Sequence, residues 1–102
     1  MGGIRLEDIE QAFNFKIEQY TGKNPNLKLL NCVNSNFMPV LAFYYRNNKI
    51  YELSLHRFER YRELDIENII LFDHLYTKPI IDIIIEKIEQ MDKDLWYVFL
   101  AP

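Results

Sequence analysis

The stretch VLAFYYRNNKIYELSLHRF, residues 40–58, holds an apolar run, an asparagine-rich break and a second run in which apolar and polar residues alternate. A period of two belongs to a half-buried strand, and asparagine accepts the positive φ that a tight turn requires. The stretch therefore reads as a β-hairpin turning at Asn47-Asn48. In the returning arm Tyr51, Leu53 and Leu55 take the buried face, while Glu52, Ser54 and His56 take the wet one. The first arm, extended back to Phe37, is apolar on both alternating faces, the pattern of an interior strand. Pro39 has no amide to donate, so regular pairing is expected to begin after it.

Working outward, Leu27 to Val33 is a further strand, closed by Asn34-Ser35-Asn36, whose side chains compete for backbone hydrogen bonds. Before it, Leu6, Ile9, Phe13, Ile17 and Tyr20 recur at three- and four-residue steps and define a helix over 6–20, stopped at Gly22. After the hairpin, residues 57–64 are densely charged and fit a short helix, a strand end or a loop. Asp65 caps a helix ending near Tyr76, and Thr77 caps the next, with Pro79 in its first turn. In that helix Ile80, Ile81, Ile84, Ile85, Ile88 and Met91 face inward. The chain closes on Leu95 to Leu100, apolar throughout and read as a final strand. The expected fold is α+β, a single domain over residues 1–102 in the order α-β-β-β-α-α-β, with a mainly antiparallel sheet of about four strands packed by helices.

A chain of 102 residues with 49% hydrophobic and 26% charged side chains can bury roughly two-thirds of its unfolded surface and build a core without a staple. One cysteine, Cys32, forms no internal disulfide and cannot by itself hold zinc, which points to a reducing, cytoplasmic setting. No segment has the length and apolarity of a membrane span, and the acidic start of the chain lacks the features of a signal peptide. A net charge of −3 with interspersed signs gives no dominant attraction to phosphate backbones, so nucleic acid is not expected as a direct ligand. The abundance of Ile, Asn, Lys, Tyr and Phe over Ala and Gly is that of a low-GC genome, where small proteins of phages and mobile elements are common.

Two groups of residues carry candidate chemistry. His56, Arg57 and Arg60, with neighbouring carboxylates, are the types a small ribonuclease needs, an imidazole to move a proton and guanidiniums to steady a phosphate. A solvated strand end with surface ion pairs contains the same residues. Asp82, Glu86 and Glu89 form an acidic helical row of the sort that can fill a basic groove on a partner. Asp73-His74 stand about 100° apart on a helix and do not face each other. No cofactor or metal site is expected.

The surplus of rings is more informative than the charges. Seven Tyr, seven Phe and one Trp exceed what a core this small must contain. Tyr44, Tyr45, Tyr61 and Trp96 are the expected anchors of a protein interface, where rigid rings give much contact area for little entropy. The expectation is a non-enzymatic protein-binding module, a small inhibitor or immunity or accessory protein of a phage or mobile element that occludes its partner. A ribonuclease-like toxin using His56, Arg57 and Arg60 is the catalytic alternative, and a homodimeric regulatory subunit is the third reading.

Overall fold

The computed structural model of the protein describes residues 5–58 and 78–100, of which 95–100 as helix backbone. Helix α1 (Leu6–Thr21) is followed by strands β1 (Lys28–Val33), β2 (Pro39–Tyr45) and β3 (Asn48–Ser54), and later by helix α2 (Lys78–Leu100). The strands form one antiparallel sheet in the order β1-β2-β3, so the fold is α+β with β2 central. The helix expected over 65–76 and the cap Thr77 lie outside the described residues.

Helix α1 obeys its sequence period. Ile9, Phe13 and Ile17 are buried on one face, and Asp8 accepts a bond from the amide of Arg5 at the helix start, 3.4 Å. Gly22 ends the helix at φ +78°, in the left-handed region where an L side chain is strained, and its amide donates to Glu18 at 2.8 Å.

The hairpin differs from expectation in its turn. Arg46 and Asn47, at φ +49° and +66°, are the two central residues, and Tyr45 pairs with Asn48. The turn thus sits one residue earlier than Asn47-Asn48. Left uncorrected, that register would put Leu53 opposite Val40, on the face away from the helices. An irregularity between Phe43 and Tyr44 leaves Ile50 as an extra residue on β3, and beyond it Phe43 pairs with Tyr51 and Leu41 with Leu53. The bulge returns the alternating apolar set to the core face. Pairing also starts at Pro39 itself, opposite Val33, because the first residue of a strand can do without a donor.

The core lies on that face. Leu29, Leu41, Phe43 and Leu53 from the sheet meet Phe13 and Ile17 of α1 and Ile80, Ile81 and Ile84 of α2. Phe43 is fully enclosed, edge-on to Phe13 at 4.9 Å and to Tyr51 at 5.8 Å between ring centroids. Such pairs add about 0.5–1.5 kcal/mol each beyond burial. Val40 and Ala42, also buried, occupy the other face beside Cys32 and Leu30, so the central strand is apolar and covered on both sides.

Two expectations about element type are corrected. The alternation past Ser54 stops, because residues 55–58 are helical and the Ser54 hydroxyl accepts from the amide of Arg57 at 3.1 Å. A serine cap of this kind contributes about 1 kcal/mol and ends the strand at its own position. Leu95 to Leu100 is not a fourth strand but the end of α2. Neither Gly nor Pro interrupts Met91 to Leu95, so nothing stops the helix, and an apolar run of six residues does not by itself select a strand.

Candidate functional site

Two features at opposite ends of the β1–β2 pair stand out. The first is a hollow of about 570 Å³ at the β2–β3 turn, bounded by Ile17, Lys28, Tyr44, Arg46, Ile88 and Glu89. Across it the Tyr45 hydroxyl donates to Asp92 at 2.8 Å, and the Arg46 guanidinium lies 3.5 Å from the same carboxylate and 5.2 Å from the centre of the Tyr45 ring. Burial, with the Asp92 carboxylate as the next cause, raises the Tyr45 hydroxyl above its ordinary pKa. Tyr45, Arg46 and Asp92 tie the strained turn to α2. Their polar groups already satisfy one another, and among the described residues no buried side-chain nitrogen or oxygen lacks a partner. No cluster of described residues could hold a metal ion.

The second feature is the β1–β2 turn. Asn34 accepts at its side-chain oxygen from the amides of Asn36 (2.9 Å) and Met38 (3.1 Å), and its carbonyl accepts from Phe37. That network closes a type I turn followed by one left-handed residue, a position that glycine normally fills. Here it is Phe37, at φ +59°. The residue is 89% exposed, with Val33 at 61%, Leu30 at 52% and Met38 at 50% nearby in sequence. A left-handed L residue costs about 1–2 kcal/mol, and an exposed phenyl forgoes most of the roughly 2–3 kcal/mol that burial would contribute. Neither choice helps folding.

The residues singled out by sequence scatter over the molecule. Tyr45 is buried, 6% exposed, its ring belonging to the core and its hydroxyl bonded to Asp92; Tyr44 is half-buried at the rim. Asp82, Glu86 and Glu89 all lie exposed on α2, with Asp82 bonded to Lys78 at 3.2 Å. His56 and Arg57 are exposed on the helical turn after β3. Arg60 and Tyr61 lie outside the described residues, as does the side chain of Trp96. The most exposed of the described rings are instead Phe37, Phe15 and Tyr20, the last with the ammonium groups of Lys16 and Lys78 at 5.8 and 5.4 Å from its centre. Sequence reading placed Phe37 inside a strand. The signal that marks it as a loop residue is the Asn34-Ser35-Asn36 turn, which needs a left-handed position directly after it.

No helix of the described residues is long and apolar enough to cross a membrane. Comparison with family models, curated proteins and solved structures returns no match.

Proposed function

We propose that the protein is a non-enzymatic binding module that docks onto another protein through the β1–β2 hairpin end, acting in the cytoplasm as an inhibitor or immunity partner of a phage or mobile element. One observation carries this reading. Phe37 combines a left-handed backbone with an almost fully exposed residue, and Val33, Leu30 and Met38 are exposed in the same hairpin. Strain and exposed apolar surface at one turn, both unfavourable to the isolated fold, are accounted for by a contact that covers them. The acidic face of Asp82, Glu86 and Glu89 would set the charge of the partner, favouring a basic surface.

The test is capture from a host carrying its mobile elements, followed by reconstitution of the complex from purified components. A defined complex lost on Phe37→Asp or Met38→Asp, with the circular dichroism spectrum unchanged, supports the reading. Cleavage of RNA or DNA by the purified protein, abolished by His56→Ala, contradicts it.

A further inference from the structure

The sheet has two edges, and they are guarded unequally. Along β3 the bulge at Ile50 and the ion pair of Lys49 with Glu52 break up and charge the edge, two devices that discourage strand addition. Along β1 the guard comes from α1. Asn14 accepts from the amide of Leu27 at 2.7 Å and donates to its carbonyl at 3.1 Å, while Glu10 accepts from the amide of Leu29 at 2.9 Å. These side chains take the place of a neighbouring strand, and among the described residues they do so only as far as Leu29. Alternation in an antiparallel ladder turns Asn31 and Val33 in the same outward direction as Leu27 and Leu29. Both are exposed, and Leu30 beside them is half in solvent.

We infer that a second copy of this chain pairs with the open half of β1, antiparallel about a twofold axis through Cys32, joining two three-stranded sheets into one of six strands. The inference rests on the reading of this end as a docking element and gives its β1 edge to a second copy, the Phe37 turn being left to the partner protein. In that register Asn31 of each copy lies opposite Val33 of the other, and both pairs exchange both of their backbone bonds. An axis through Asn31 would bring Val33 against Leu29, whose amide Glu10 already holds, and would leave one pair. An axis through Val33 would carry Asn31 onto Ser35 in the turn, again leaving one. The guard at one end and the turn at the other thus select the twofold register, in which one short strand supplies both halves of the contact.

Cys32 is the reporter. It would face its own symmetry mate in a non-hydrogen-bonded pair, where Cα atoms approach to about 4.5 Å, within disulfide range. The full-length protein is followed by light scattering over a dilution series and by mild oxidation. The expected result is a concentration-dependent dimer that oxidation traps through Cys32, whereas Cys32→Ser carrying Lys23→Cys at the far end is not trapped. Val33→Pro removes an outward amide without touching a bond to β2, and Leu30→Lys charges the exposed margin. Each is expected to weaken dimerisation about tenfold or more with the fold retained. A monomer at every concentration, with Cys32 trapped no faster than the relocated cysteine, overturns the inference. If that monomer still holds a partner protein through Phe37, the proposed function stands without it. If Val33→Pro releases a foreign protein from a chain that never self-associates, the edge belongs to a foreign strand and the second copy is likewise ruled out.

Discussion

Replacing Phe37 by glycine is expected to stabilise the protein while weakening its hold on a partner. The backbone at this position is left-handed, φ +59°, and relief of the clash between Cβ and the following carbonyl is worth about 1–2 kcal/mol. Against that stand the extra freedom of glycine in the unfolded chain, about 0.5–1 kcal/mol, and the small part of the ring that is covered. With the residue 89% exposed, the covered part amounts to roughly 0.3 kcal/mol of the 2–3 available to a buried phenyl. The balance is a gain of about 0.5 kcal/mol, or roughly 2–4 °C in Tm for a domain of this size. Phe37→Asn, which tolerates the same φ without the glycine entropy, is expected to do at least as well. Urea titration at constant m-value gives the measurement. A loss above about 1 kcal/mol in both variants would refute the reasoning, since it would mean that the ring is held within the folded monomer.

The opposite change at the end of α1 is the control: Gly22→Ala meets no atom within 4 Å yet must keep φ +78°, and a loss of about 1 kcal/mol in urea titration is expected from backbone strain alone. Asn14→Ala removes both bonds to Leu27 just ahead of β1, so a loss of about 1–3 kcal/mol should come with faster aggregation on light scattering, because Glu10 is then left as the only guard of that edge among the described residues. Tyr45→Phe removes the bond to Asp92 and is expected to cost about 1 kcal/mol at neutral pH. Its pH dependence has a defined sign. The folded pKa of Tyr45 is raised above the ordinary 10.0, so its contribution is complete below pH 10 and is lost as pH climbs from there through the folded value. Denaturation followed across the alkaline range should show a steeper loss of stability in the wild type than in Tyr45→Phe.

Helix α1 was legible because it carries an unbroken period, and the residues at those steps, Ile9, Phe13 and Ile17, are the buried ones; the three strands were legible as apolar runs separated by asparagine-rich turns. What was not legible was register. Asn47-Asn48 looks the better turn by local preference, yet Arg46 takes the first left-handed position, where Asp92 and the Tyr45 ring hold its side chain, and Ile50 absorbs the difference. Asp92 lies on another element far along the chain, beyond the reach of a local rule. The end of α2 was misread because an all-apolar run has no period, and helix or strand then depends on what precedes it. Reasoning that surplus rings must surface did not identify which ones. Tyr45 is covered because its hydroxyl has a carboxylate to reach, whereas Phe37 is displaced outward by the geometry of its turn. Glu10 and Asn14, polar residues on a helix, gave no sign in sequence that they would guard a strand.

The claim that the β1–β2 hairpin end is the contact surface is tested most directly by hydroxyl-radical footprinting of Phe37 and Met38, free and in the reconstituted complex. The prediction is heavy oxidation of both side chains in the dilute protein and strong protection in the complex, with Phe43 unlabelled throughout. Equal labelling of Phe37 and Met38 in the two states, with protection instead around Tyr44 and Glu89 at the hollow, would contradict it.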